Sequence, residues 1–430
     1  MTDEDRYGGF TPRRATKFYI PLLLQAFSQS LTYPLVAAIV THGAFGVDAL
    51  TGFAQGQIAM FMIGSLGGGL VMTGMVFART KGGYLCFRRL NTLMMIALLS
   101  IQVLLALPPF DRFIFSHFLN LPPNLYDIAR QTMLWGVFMQ GAFFLRNVPL
   151  VALFNARASF EANLATLVRF ALTAACPLVF IPWGLTGPMW GLTATTIPCI
   201  IEYLLTHVFA RRYVRELPLH TADRSPHRVM DQFRFTVPLS LGGFLLAMSP
   251  FMVAAFVGRS MDAVAMLAIH YVTMGLANPV AYGALRMQAV AIQFPPEYKG
   301  DRRMLHYAVY AGLVLGIVPL VFTLPQTGGW YFRVVQNVPE ANVWMARTLI
   351  GVFALWPVLQ AVRGRAEGLA AWQKRPRVVL LGQFVHLATL VATLALALHF
   401  GEPGWLMGAT AIFAATLATI AAIQLALRRA

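Results

Sequence analysis

Lys17-Phe18-Tyr19-Ile20-Pro21-Leu22 opens the first long apolar run of this chain, and Arg234-Phe235-Thr236-Val237-Pro238-Leu239 opens the seventh, 217 residues later (234 − 17). The last run of each block begins with Gly184-x-x-Gly187-x-x-x-Gly191-x-Thr193 and Gly401-x-x-Gly404-x-x-x-Gly408-x-Thr410, and each ends on an arginine pair, at 211–212 and 428–429, again 217 apart (401 − 184 and 428 − 211). Between these landmarks Arg88-Arg89 is echoed by Arg302-Arg303 at an offset of 214 (302 − 88). Pro149 with Arg157-Ala158 is echoed by Pro357 with Arg365-Ala366 at an offset of 208 (357 − 149). Five matches in one order argue for a duplicated unit rather than for chance.

The copies are written in the composition of lipid-embedded protein. Hydrophobic residues make up 58% of the chain and charged residues 12%, against about 25% charged in a soluble domain. A helix needs about 20 mainly apolar residues to cross a bilayer, which predicts spans near 18–40, 50–77, 90–107, 131–153, 163–181, 187–209, 235–257, 263–290, 305–324, 346–361, 378–400 and 403–427. The expected fold is therefore an all-α membrane protein of about twelve transmembrane helices in two six-helix bundles. Its expected parts are a tail over 1–16, a first bundle over 17–212, a basic linker over 213–233 and a second bundle over 234–430. An even number of spans per copy gives both copies the same orientation, hence a parallel repeat with a pseudo-twofold axis along the membrane normal. Secondary transporters built from such repeats hold substrate at the repeat interface.

The net charge of +16 would suit nucleic acid if it were clustered, but it follows loop parity instead. Arginine and lysine concentrate in the tail, around 79–89, in 211–234, at 299–303 and in 363–377, whereas the opposite loops carry only Arg112, Arg130, Arg259 and Arg333. That is the positive-inside pattern, which places both termini in the cytoplasm and makes nucleic acid an unneeded partner. Residues 1–17 are polar and the first run is long enough to cross, so an uncleaved first span is expected. Cys86, Cys176 and Cys199 show no metal or redox spacing, and neither a phosphate-binding loop nor a zinc motif occurs, so no cofactor, no metal and no enzyme activity is expected.

Polar groups at membrane depth are expensive and point to function. In the first span Gln25, Ser28, Gln29 and Thr32 share one helix face, at i, i+3, i+4 and i+7. Gln140, Arg146 and Asn147 lie in the fourth span, and His270, Asn278, Tyr282 and Arg286 in the eighth. A guanidinium cannot shed its proton, so Arg146 and Arg286 need either an acid or an anion. Glu202 is the one clear acid at depth. The expected substrate-binding set is thus Arg146, Arg286, Gln25, Gln29, Gln140, Asn147, Asn278 and Tyr282, with Glu202 and His270 as coupling groups. Gln383 and His386, one turn apart in the eleventh span, read either way. Arg169 and Arg347 lie nearer helix ends, where reaching to the headgroups is the simpler reading.

Several segments resemble a known family. The Pro-Leu pairs opening spans one and seven, Tyr282-Gly283-x-Leu285 followed by Ala289-Val290, and Val362-Arg363-Gly364-Arg365-Ala366-Glu367-Gly368-Leu369 look like the progressive ankylosis (ANK) family of the MOP flippase superfamily, which includes the MATE exporters. The resemblance implies a two-bundle, inverted-V transporter working by alternating access, and the compact tails without organelle signals make a cell inner membrane the expected location. For the ANK branch it implies export of a small polyanion such as citrate, nucleotide or pyrophosphate. Members of that family carry charged groups in the first span, whereas Gln29 to Ala38 offers only Tyr33, which weakens the transfer of ion coupling and leaves out the carboxylate that a cationic drug would want. A lipid-linked oligosaccharide or phospholipid flippase is the first alternative and a cation-coupled multidrug exporter the second. A major facilitator fold ranks lower, because Gly74 to Lys81 lacks the Asp of its loop motif. The partners implied are a small anion, membrane lipids and a coupling H+ or Na+, with the chain acting as a monomer.

Overall fold

A computed structural model describes residues 10–44, 46–118, 123–219, 228–257, 259–261, 263–298, 301–335 and 338–428. The side chains at 28–31 and 33–34 lie outside the described ones, Gln29 among them, as do parts of the expected tail and linker.

Among the described residues the chain is helix joined by short turns. Its long helices are α1 (Pro12–Thr41), α2 (Gly46–Ser65), α3 (Leu70–Phe77), α4 (Lys81–Leu105), α5 (Pro123–Asn155), α6 (Ser159–Phe180) and α7 (Pro188–Arg215). They continue with α8 (Val229–Ala247), α9 (Ser249–Val257), α10 (Ala263–Leu285), α11 (Met287–Gln293), α12 (Arg303–Val321), α13 (Glu340–Phe353), α14 (Trp356–Trp372), α15 (Pro376–His399) and α16 (Gly404–Arg428). Ten helical stretches among the described residues are long and apolar enough to cross a membrane, with α2–α3, α8–α9 and α13–α14 each counting as one. Helices α1 and α10 supply two more of similar length, so the chain is an all-α, multi-pass membrane protein with room for twelve spans.

The duplication is more regular than its sequence landmarks. Helices α5 and α13–α14 begin and end 217 residues apart (340 − 123 and 372 − 155). The same offset separates α6 from α15 at their starts (376 − 159) and the π-helical turns Phe113–Phe118 and Trp330–Val335 (330 − 113). Left-handed backbone recurs on the same schedule at Arg157 and Lys374, with φ 54° and 58°, and at Gly184 and Gly401, with φ 71° and 70°. Each of the four follows a helix whose end is closed by a six-to-one bond: Ala158 N–H to Leu153 O, Arg375 to Ala370, Leu185 to Phe180 and Glu402 to Ala397, at 2.8–2.9 Å. The offsets of 214 and 208 read from Arg88-Arg89 and Pro149 therefore belong to coincidental matches. Pro357 occupies the place of Gln140, not of Pro149.

The helices also outrun their expected lengths. The tenth span, expected over 346–361, is a 33-residue column, α13–α14, bent at Ala354–Leu355 just before Pro357, which lacks the N–H to continue the ladder. The basic stretch from Arg363, expected in a loop, is the buried interior of α14.

The described chain divides into two compact units, residues 28–240 and residues 1–27 with 241–430. In the first, Phe235 of α8 packs edge-on against Phe77 at 5.1 Å, Thr236 Oγ1 lies 2.8 Å from Thr73 Oγ1, and Gln232 Nε2 donates to Gly83 O at 3.1 Å. In the second, Phe18 of α1 packs edge-on against Phe294 at 6.1 Å, and the Tyr19 hydroxyl donates to Gly283 O at 3.2 Å. Phe18 and Phe235 are repeat mates, as are Phe77 and Phe294, so the same ring pair is made twice. The main apolar core of the second unit gathers Phe332, Leu349, Ile350, Phe353, Leu390, Leu394 and Met407.

Candidate functional site: two buried arginine clusters

In the unit of residues 28–240, α5, α6 and α7 meet around Glu202, which is 1% exposed. Arg146 Nη1 donates to Glu202 Oε2 at 2.8 Å, Thr166 Oγ1 donates to Oε1, and Arg169 Nε stands 3.2 Å from Oε2 without the alignment of a hydrogen bond. Arg146 also lies over the Phe143 ring, 5.0 Å from its centroid. Both arginines are buried, at 8% and 3% exposure, so neither reaches to headgroups. Two guanidiniums share one carboxylate. The sum is one uncompensated positive charge in a low-dielectric core, and Arg146 Nε, Arg169 Nε and Arg169 Nη2 have no hydrogen-bond acceptor. Unmade bonds on a charged donor are the costly kind.

The other unit carries a second cluster at the matching positions. Arg363, 1% exposed, donates from Nε to Glu367 Oε1 at 2.8 Å and from Nη2 to Gln383 Oε1 at 2.6 Å. Gln383 Nε2 donates to Glu367 Oε1 at 2.7 Å, and Gln288 Nε2 donates to the other carboxylate oxygen. Beside them His386 Nδ1 lies 3.2 Å from Thr419 Oγ1. At an offset of 217, Arg363, Gln383, His386 and Thr419 stand where the first copy has Arg146, Thr166, Arg169 and Glu202. The second cluster is balanced, one cation to one anion, with its amides closing the ring.

Glycine lets this cluster sit where it does. A Cβ on Gly364 would come 2.6 Å from Leu285 O, and one on Gly368 2.5 Å from Gln288 O, so the Gly-x-x-x-Gly edge of α14 lies directly on the backbone where α10 breaks into α11. Arg286 sits at that break, partly buried.

The remaining expected site residues do not form one group. Gln140 Nε2 reaches Met60 O at 3.4 Å, and Asn147 Nδ2 reaches Asn91 Oδ1 at 3.4 Å, both in the first unit. In the second unit Gln25 is buried, Asn278 is partly buried and Tyr282 is 51% exposed. His270 is 5% exposed with Nδ1 unpartnered, its ring against Gly408. The expectation that Glu202 is the one clear acid at depth is corrected by Glu367. The simpler reading of Arg169 is corrected too: it belongs to the Glu202 cluster. Sequence reasoning missed Arg363 and Glu367 because their segment is too charged for a hydropathy window, although their i, i+4 spacing is that of a helical ion pair. Among the described residues no group of three or more His, Cys, Asp or Glu could hold a metal ion, and the three cysteines are unbridged.

No protein-family model matches the chain. No curated protein matches it either. Solved structures do match, over essentially the whole length. A MOP superfamily transporter from Pyrococcus furiosus, described as having a binding pocket of reverse polarity that suggests a different function, is similar at 17% identity and a TM-score of 0.73, covering 100% of this chain and 98% of that one. A MATE transporter in its bent conformation is similar at 16% identity and a TM-score of 0.75, with the same coverage. The Vibrio cholerae MATE transporter VcmN, in a mutant form, is similar at 14% identity and a TM-score of 0.70, covering 97% of each chain. The chain has the fold of the MATE transporters of the MOP superfamily.

Proposed function

We propose that this protein is a secondary active transporter of the MOP type that exports a small organic or phosphorylated anion by alternating access. The observation that carries the reading is the charge of the Glu202 cluster: Arg146 and Arg169 against one carboxylate, with guanidinium N–H groups left over. A surplus buried cation is stabilised when an anion comes within reach. A cationic drug would need the opposite, a carboxylate with lone pairs to spare. Glu202 and Glu367, the buried glutamates of the described helices, are both held by arginine and amide or hydroxyl donors. This favours an anion over a cationic drug, while the fold itself accommodates the multidrug alternative equally well. That a neighbour of the same fold is described as having a pocket of reverse polarity supports the idea that this fold serves more than one substrate charge.

The narrower reading, a relative of the ANK branch, rests on the segment Val362 to Leu369, which forms the buried face of α14. In this proposal Gln140 and Asn147, which lie in the same unit as Arg146 and Arg169, orient the anion. The coupling proton is carried by His270 rather than by Glu202, because His270 Nδ1 is unpartnered whereas both oxygens of Glu202 already accept hydrogen bonds, from Arg146 and Thr166. The chain works as a monomer in a cell inner membrane with both termini cytoplasmic. Proteoliposomes offered radiolabelled citrate, radiolabelled phosphate esters, a fluorescent phospholipid and a cationic dye in parallel test the proposal: accumulation of an anion supports it, and movement of lipid or dye alone refutes it.

A further inference from the structure

The second unit has a pocket away from both clusters. Its cavity, about 450 Å³, lies between the turn Pro325–Gly329, the π-helical turn Trp330–Val335 and the first turns of α13, and Gln326, Trp330, Arg333, Glu340, Trp344 and Arg347 are among its lining. Trp330 and Trp344 are 59% and 54% exposed, and Trp344 is braced edge-on by Trp405 at 5.8 Å. Arg347 donates from Nε and Nη2 to Thr323 O, at 3.0 and 2.7 Å, which fixes the guanidinium and leaves Nη1 for another acceptor. Arg333 and Glu340 stand 3.4 Å apart with side chains 59% and 83% exposed, a weak pair that a stronger anion can displace. The site holds two cations, one anion and two indoles.

The duplication supplies an internal control. At an offset of 217 the first copy has Phe113, Ser116, Asp127 and Arg130 where the second has Trp330, Arg333, Trp344 and Arg347. There Arg130 faces its own Asp127 at 3.6 Å. The fold therefore needs neither indole nor the second guanidinium at this place, and only the second copy carries them together. The helix leading into the pocket tells what they meet: Ile317, Leu320, Val321 and Leu324 on and just beyond α12 are 56%, 51%, 40% and 51% exposed, an apolar face ending at Pro325. An exposed aliphatic helix face that ends at a turn carrying two indoles and a surplus cation has the chemistry that an anionic lipid presents, acyl chains beside a charged headgroup.

We propose that this pocket binds the phosphate headgroup of an anionic phospholipid, with Arg333 and Arg347 on the phosphate, Gln326 and Glu340 on the polar tip, Trp330 and Trp344 flanking the glycerol, and the acyl chains along α12. The occupant comes from the bilayer, because the apolar face is continuous with the pocket.

The test is tryptophan quenching in phosphatidylcholine vesicles containing increasing fractions of brominated phosphatidylglycerol, or of brominated phosphatidylcholine as the neutral comparison. A W330F/W344F variant supplies the background from the other indoles. The site predicts saturable extra quenching by the anionic lipid, a half-saturating fraction raised about fivefold in R333Q, no change in R130Q, and no displacement by inorganic phosphate. Arg333 is exposed, so R333Q is expected to fold. Equal quenching by the two lipids, or an R333Q curve that overlays the parent, would reduce the indoles to an ordinary interfacial belt and overturn the proposal. Displacement by inorganic phosphate would mean a soluble-anion site and overturn it equally.

Discussion

Arg146 and Arg363 occupy the same position of the repeat, and each is buried against a glutamate, but the glutamates come from different places. Arg146 reaches Glu202 on α7, 56 residues away, whereas Arg363 binds Glu367 one turn along its own helix. Both copies thus bury a cation at this position, each with its own counter-charge. The first copy also has Arg169 where the second has His386, so one cluster is positive and the other neutral.

That difference sets the order of stability among variants. Glu202→Gln leaves two buried guanidiniums without a counter-charge and should cost about 3–5 kcal/mol. Arg169→Gln leaves the neutral Arg146–Glu202 pair and should stay within about 1 kcal/mol of the parent. Thermal unfolding of the detergent-solubilised protein followed by fluorescence ranks the two, and equal losses would contradict the cluster as described.

Gly364 should not tolerate a side chain. Its missing Cβ faces Leu285 O at 2.6 Å, so Gly364→Ala must push α14 off the α10–α11 break at a cost of about 1–3 kcal/mol. Gly275 has open space beside it, and Gly275→Ala serves as the neutral comparison in the same melts.

The turn before α12 should lose stability in acid. Hydrogen bonds from the Arg303 guanidinium and from backbone N–H groups hold the Asp301 carboxyl down to about 2. An unfolded aspartate titrates near ~3.9, so the stabilisation is present above that value and is lost as pH falls through about 2. Wild type should therefore hold its melting temperature down to about pH 4 and decline between there and about pH 2. Asp301→Asn should start lower and lack that part of the decline; parallel curves would exclude the linkage.

At the left-handed positions that end α5 and α14, shape rather than charge should govern. Lys374→Val places a β-branched residue at φ 58° and should be about 1–2 kcal/mol less stable than Lys374→Gly, with the same order at Arg157. Chemical denaturation of the four variants reads the difference.

Much of this was legible beforehand. Hydropathy anticipated the ten stretches among the described residues that are long and apolar enough to cross a membrane, with α1 and α10 beside them, and the Gly184/Gly401 motifs carried the true repeat offset because their glycines are backbone positions, in left-handed turns, that the fold reuses. Arg88-Arg89 and Pro149 misled because they lie on stretches where the copies have drifted in side chain while keeping backbone. Arg146 and Glu202 were visible as ionisable groups in apolar surroundings, and the pairing of Glu202 with an arginine was one of two open readings; that Arg169 joins them was not legible, since the cluster brings together helices distant in sequence. Arg363 and Glu367 were hidden by a physical trade: each charge is tolerated at depth only because the other is one turn away, and a composition window sees the two charges without seeing that they cancel. The expected substrate residues are shared between the two units, and linear spacing carries no information about that division.

The central claim, that the surplus positive charge at Arg146 and Arg169 serves an anionic substrate, is tested most directly by anion uptake into proteoliposomes holding wild type or Arg146→Gln. Arg146→Gln keeps a neutral Arg169–Glu202 pair, so it should remain monodisperse and folded. The account predicts accumulation of radiolabelled citrate or phosphate ester by wild type and a loss of about tenfold or more in the variant. Undiminished anion uptake by the folded variant, or transport by wild type of a cationic dye alone, would contradict it.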